Sequence, residues 1–151
     1  MLVQRIKRSD PERVFIVVKN GYDTASLTNG QAVMWDLSDA DGLNVTKCST
    51  ALKRQAAFAG IVAETIASGS YGLLQVYGYH SAVRVDSSTT ADIYTGCGLA
   101  MTVDAFCLEG PYAASGATAG YEWDHRIIGC ALEAYGSVGT TGTIKAMIFA
   151  M

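Results

Sequence analysis

Proline is almost missing from this chain, with 2 residues among 151, and histidine is as scarce, also 2. With so little proline, the turns fall to Gly, Ser, Thr, Asn and Asp, and the 16 glycines are numerous enough to make them. Neither His80 nor His125 has a second His or Cys three or four residues away, so the helical spacing of a zinc site does not occur. The four cysteines, Cys48, Cys97, Cys107 and Cys130, form no C-x-x-C pair and read as reduced, small core residues. The longest apolar run, Ala56 to Ala63, is far shorter than the roughly 18 residues of a membrane span. Asp10, Pro11 and Glu12 interrupt any apolar h-region after the first basic residues, so no secretory leader is expected. The expectation is a chain made in the cytoplasm, with no membrane association. Without a secretory route, the sequon Asn44-Val-Thr46 reads as chance.

Catalytic motifs are also absent. A G-x-S-x-G elbow does not occur, since Ser70 has Ser68 two residues before it. Gly136-Ser-Val-Gly-Thr-Thr-Gly-Thr143 approaches a phosphate-cradling loop, but Thr143 stands where the lysine is needed, and its plain reading is a hairpin loop. Asp124-His125 could form an acid–imidazole pair, yet Glu122-Trp-Asp-His-Arg126 reads better as a polar strand edge or loop. Trp35, Trp123 and the eight tyrosines are scattered over separate segments and read as core and interface residues. The expectation is no enzyme, no cofactor and no metal.

What the chain does contain is a folding composition: 50% hydrophobic and 17% charged residues, at a length suited to one domain. The net charge of −3 is unevenly spread. Residues 1–20 carry five basic side chains (Arg5, Lys7, Arg8, Arg13, Lys19) against Asp10 and Glu12, a net +3 that leaves −6 for the other 131 residues. An acidic body repels phosphate backbones, which argues against nucleic acid as a partner. A cationic arm over residues 1–12, ahead of a single β domain from 13 to 151, is suited to an acidic protein surface.

Period-two ribbons and turn signals recur. Arg13-Val-Phe-Ile-Val-Val-Lys19, closed by Asn20-Gly21, predicts a strand buried on both faces. Gln31 to Leu37 places Val33, Trp35 and Leu37 on one face with Asp36 opposite. A strand is expected from about Phe58, although residues 49–59 also show a short helical stripe. Leu73–Val85 and Leu99–Leu108 read as two further ribbons, with a bulge or bend at Gly78; residues 110–121 read as a loop. Thr143 to Phe149 alternates Ile144, Ala146 and Ile148 against Lys145. Gly60-Ile-Val-Ala-Glu64 also echoes Gly129-Cys-Ala-Leu-Glu133, each followed by a Gly-rich turn and another strand, with Leu73–Tyr77 corresponding to Thr143–Met147. Glu64 and Glu133 could face each other as an acid–base pair; the simpler reading is that each faces solvent. The predicted architecture is all-β, an antiparallel β-barrel or β-sandwich with an extended N-terminal arm.

Asn44-Val-Thr-Lys, Phe58-Ala-Gly-Ile-Val-Ala-Glu-Thr-Ile66, Gly69-Ser-Tyr-Gly-Leu-Leu-Gln-Val-Tyr-Gly-Tyr79 and Ala82-Val-Arg-Val85, preceded by Gly30-Gln-Ala-Val-Met-Trp35, occur in this order. In this pattern, over about residues 30–150, the chain resembles the capsid decoration, or cement, proteins of tailed phages. The resemblance implies a homo-oligomer, with a trimer favoured, that sits on the outer surface of the virion. There it would clamp neighbouring major capsid subunits after shell expansion, without a cofactor. On that expectation Arg5, Lys7, Arg8 and Arg13 are the capsid-contact residues. The alternatives are a tail-tube, fibre or other virion β-protein, and a small ligand-binding β-barrel with Tyr77 and Tyr79 at its cavity.

Overall fold

The computed structural model describes residues 11–39, 41–47, 57–87, 92–101, 107–109, 127–136 and 140–150. The fold is all-β, with no α-helix among those residues. Nine strands run β1 Arg13–Asn20, β2 Ala32–Trp35, β3 Asn44–Thr46, β4 Phe58–Val62, β5 Tyr71–Asp86, β6 Gly98–Met101, β7 Leu108–Glu109, β8 Gly129–Ala131 and β9 Thr141–Phe149. They form one sheet in the order β1-β3-β2-β4-β5-β7-β6-β8-β9, and β5 also pairs with β1 and with β9.

Those two additional pairings close the hydrogen-bonding twice. One circuit runs β1-β3-β2-β4-β5 and back to β1; the other runs β5-β7-β6-β8-β9 and back to β5. The 16-residue β5 belongs to both. Its first part pairs with β1 and β4, and its second part with β7 and β9. Position by position the two circuits have the same connectivity, including the parallel pair that opens each, β1 with β3 and β5 with β7. Isolated bridges also correspond, Leu27 with Ile66 in the first unit and Ile93 with Tyr135 in the second. Asn20 donates its N–H to Ser70, and Ser87 donates its own to Thr140, as equivalent buried polar positions. The chain is a tandem duplication in which the last strand of the first unit runs on as the first strand of the second.

The echo read between Gly60–Glu64 and Gly129–Glu133 is the visible part of this duplication. Its continuation keeps the expected correspondence on one side of the hairpin, where Val17 pairs with Leu73 and the equivalent Arg84 with Thr143, and departs from it on the other. Glu64 accepts the backbone N–H of Leu73, nine residues on, whereas Glu133 accepts that of Lys145, twelve residues on. Counted from the glutamates, Leu73 therefore matches Lys145, two residues beyond Thr143.

The apolar residues divide into two clusters that follow the two units. Val18, Leu27, Val33, Val45, Ala59, Val62, Ile66 and Leu74 fill the first. Val83, Val85, Ile93, Leu99, Met101, Leu108, Ile128, Ile144 and Ile148 belong to the second, which also takes Ala32, Met34, Phe58 and Ile61. The β2–β4 ladder is thus a partition. Val33, Ala59 and Val62 face one core; Met34, Phe58 and Ile61 face the other. This explains why β4 is buried at all five positions. Each large side chain so buried contributes roughly 1.5–3 kcal/mol relative to exposure.

Several expectations are corrected. Two of the ten strand ladders are parallel, so the sheet is mixed and not antiparallel throughout. The cause is that the chain crosses from β1 past β2 to reach β3, and repeats this from β5 to β7. Strand β1 is not buried on both faces: Arg13, Phe15 and Val17 point outward, while Val18 and Asn20 point in. Double-sided burial belongs to β2 and β4. Leu37 lies past the end of β2 and is exposed. The Leu99–Leu108 ribbon is two strands, since Met101 pairs antiparallel with Leu108 and the chain reverses between them. The loop expected over residues 110–121 lies outside the described residues.

Candidate interaction surface

The units meet where the turn before β2 lies on β5. Gly30, at φ +86°, donates its N–H to Val62 and accepts that of Arg84, both at 2.8 Å. A Cβ on Gly30 would stand 2.1 Å from the Ala82 carbonyl oxygen, so only glycine lets the two backbones approach this closely. The β5–β9 ladder shifts register between His80 and Val83, beside this contact. The bend expected at Gly78 is also present. Gly78 has φ +98°, and a Cβ there would strike the Glu12 carbonyl at 1.9 Å.

A shallow cleft of about 140 Å³ lies in this region, lined by Arg13, Phe15, Asn29, Ala63, Gln75, His80 and Ser81. It is small against the roughly 300–1,000 Å³ of typical small-molecule sites. Gln75 is buried and donates from Nε2 to the carbonyls of Tyr77, Gly78 and Tyr79 at 3.0–3.2 Å, bracing the turn of β5. His80 is also buried, and its Nδ1 accepts the Ala82 N–H at 3.1 Å, which places the neutral ring's proton on Nε2.

Desolvation pulls the His80 pKa below 6.5, with the nearby Arg13 charge acting in the same direction and a backbone hydrogen bond at Val62 opposing both. The unfolded state therefore binds this proton more readily than the folded state. Stability should fall as pH drops below about 6.5, the unfolded value, until the folded pKa is reached. Chemical denaturation between pH 7.5 and 5 is expected to show this loss, and His80→Gln should flatten it. An equal slope in that variant would assign the effect to other groups.

Of the sequence-predicted contact residues, Arg5, Lys7 and Arg8 lie outside the described residues. Arg13 is exposed at the start of β1 and lines the cleft. Beside it the outer face of the β1–β5 ladder carries Phe15 (42% exposed), Val17 (60%), Tyr71 (61%) and Leu73. Val17 lies opposite Leu73, and Lys19 opposite Tyr71. This apolar face was missed because the run Val14–Val18 reads as continuous hydrophobic sequence. The signal was the parity of the charges, since Arg13 and Lys19 share odd positions with Phe15 and Val17 and mark that face as outward. Half-buried Tyr77 packs against Phe149 with ring centroids 6.3 Å apart, so this part of the aromatic ribbon is a cross-strand contact.

The remaining candidates have structural employment. Glu64 is exposed and Glu133 half-buried, and each holds a backbone N–H of the following strand in its own unit. Glu133 also pairs with the Lys145 ammonium, which lowers the carboxyl pKa and raises that of the amine. Asn44 is buried, with Nδ2 donating to Asp39 Oδ2 at 2.7 Å and Asp41 Oδ2 at 2.9 Å. Burial pushes the pKa of the Cys97 and Cys107 thiols upward, away from reactive thiolate. No group of three or more metal-ligating side chains converges among the described residues. His125, Trp123 and Cys48 lie outside them. No known protein-family model matches the chain, and no curated protein matches it.

Proposed function

We propose that this chain is a non-catalytic virion structural protein that decorates the outside of an expanded phage capsid, binding across major capsid subunits as a homo-oligomer. The observation that carries the reading is the outward β1–β5 face. Phe15, Val17, Tyr71 and Leu73 form a contiguous apolar strip beside the cationic Arg13, on a body that is otherwise acidic. Such a strip suits docking on another protein. The segments in which the sequence resembles decoration proteins lie on β2, β3, β4 and β5, which include the strands of the partition and the shared axis of the duplication. In this reading each closed circuit is a small five-stranded barrel, and the two are fused through β5 into a stiff double lobe. A stiff body loses little conformational freedom on binding. Because it binds only the expanded shell, its binding free energy adds to the stability of that state.

Expanded and unexpanded shells incubated with the purified chain test the reading. Saturable occupancy on expanded shells alone is expected, and Val17→Asp combined with Leu73→Asp should reduce it by about tenfold or more, since 1.4 kcal/mol is a factor of ten. Deleting residues 2–9 should lower occupancy more at low than at moderate salt, as expected of a cationic arm. No occupancy on either shell would end the decoration reading. Assembly of the chain alone into tubes would favour a tail protein.

A further inference from the structure

The duplication leaves one half of the unit–unit joint open at each end of the molecule. In the first unit, the turn containing Gly30 docks on β5, taking the Arg84 N–H. In the second unit the equivalent turn contains Gly96, with φ +87° against +86° and the same internal hydrogen bond, Gly96 N–H to Ala131 as Gly30 N–H to Val62. Among the described residues no atom lies within 4 Å of where a Cβ on Gly96 would stand, and Tyr94 (66%) and Ile127 (62%), the latter packed by Gly98, are exposed. The docking turn is thus repeated without its receptor.

The receptor is likewise repeated without its turn. Asn20 corresponds to Ser87, since each donates its N–H to the following hairpin, and counting back three residues makes Val17 the counterpart of Arg84. On the edge of β1 away from β5, β3 pairs only at Lys19 and Asn20. From Arg13 to Val18 no strand pairs with that edge among the described residues. Phe15 and Val17 stand exposed along it.

We propose that copies of this chain associate head to tail, the Tyr94–Cys97 turn of one copy docking on the β1 edge around Val17 of a second copy and repeating the internal joint between molecules. The occupant is a second copy because the contact it would make already exists inside the chain, with the same turn geometry and the same backbone donor. The two halves of the contact are different surfaces, so the association is heterologous and yields a closed ring or an open chain of copies. It uses outward β1 residues that also belong to the docking strip above, and it is tested on the free chain without a capsid.

Light scattering and sedimentation of the full 16.0 kDa chain test this. The parent is expected to form a concentration-dependent oligomer. Gly96→Ala should weaken association by about tenfold or more, because the internal joint tolerates no Cβ at the matching place. Gly42→Ala, also at positive φ (+67°) with nothing within 4 Å among the described residues, carries the same kind of backbone strain and should leave the mass unchanged. Val17→Asp should block the opposite surface. Mixing Gly96→Ala with Val17→Asp should give a dimer and nothing larger, since each retains one working surface. A parent that stays monomeric, a Gly96→Ala chain that associates as the parent does, or a mixture that forms no dimer would each overturn the proposal.

Discussion

Replacing Gly30 with alanine is expected to lower folding stability by about 3–5 kcal/mol, and the same replacement at Gly96 by about 1 kcal/mol, although the two share one backbone conformation. Both variants place a side chain at positive φ, which costs of order 1 kcal/mol or somewhat more. Only at Gly30 does the added Cβ meet a backbone carbonyl, at 2.1 Å. Relief there requires the turn to withdraw from β5, which would give up the hydrogen bond from Arg84 and open the partition between the two cores. Urea unfolding of the two variants measures the difference. Equal losses would mean that the joint yields without cost and that the units are coupled only through β5.

This pair also shows how far the duplication was legible in the sequence. The hairpin half of it was, because Gly60–Glu64 and Gly129–Glu133 keep a glycine and a glutamate in the same places and the glutamates perform the same backbone contact. The entry half was not. Leu27-Thr-Asn-Gly30 and Ile93-Tyr-Thr-Gly96 share one identical residue, and what they conserve is a φ value and a bridging position. Strand content was readable from ribbons at β5 and β9 and from the β-branched run at β1, and the bend at Gly78 from a glycine interrupting a ribbon. The parallel pairings were not readable, because register between distant strands is set by which faces the cores bury. The doubly buried character of β2 was hidden for a related reason. Gln31 and Asp36 at the ends of the segment mimic a half-solvated ribbon, yet Gln31 is itself buried and turns its Oε1 back to the Thr28 N–H. The outward apolar strip was lost to the opposite error, a hydrophobic run read as buried on both sides.

Asn20→Asp is expected to destabilise the fold by about 3–5 kcal/mol near neutral pH, the range for an uncompensated buried charge. Asn20 is 1% exposed and its amide is fully used: Nδ2 donates to the carbonyls of Ala25 at 3.1 Å and Ile66 at 3.0 Å, and Oδ1 accepts the Tyr22 N–H at 2.9 Å. Its backbone carbonyl accepts the Gly69 N–H, so this one residue ties the end of β1 to the β1–β2 and β4–β5 connections. Aspartate keeps the shape and the contact with Tyr22 but sets a carboxylate oxygen against two carbonyl oxygens in a site closed to water. The acid form is favoured there, because its hydroxyl can donate to one of those carbonyls. The folded pKa of the new carboxyl therefore lies above its unfolded value of about 3.9. The penalty is absent below pH 3.9 and grows as pH rises through the folded pKa, so variant and parent should converge in acid and diverge toward neutrality. Chemical denaturation of both chains from pH 4 to 7.5 reads this directly. A constant difference across that range would mean that the loss comes from the missing donor alone, with water reaching the carboxylate. The same site bears on the chemistry of the Asn20-Gly21 dipeptide, in which the Gly21 nitrogen can attack the asparagine side-chain carbonyl and expel ammonia, the resulting succinimide then taking up water to give aspartate or isoaspartate. In the fold the Gly21 N–H donates to Val45 at 2.9 Å and the Asn20 amide is held on the opposite side by Ala25 and Ile66. Both reacting groups are restrained, so the conversion should be slower in the native chain than in the urea-unfolded chain, measured by mass spectrometry of a peptide that contains Asn20 and Gly21. Equal rates in the two states would show that the end of β1 opens freely in the folded protein.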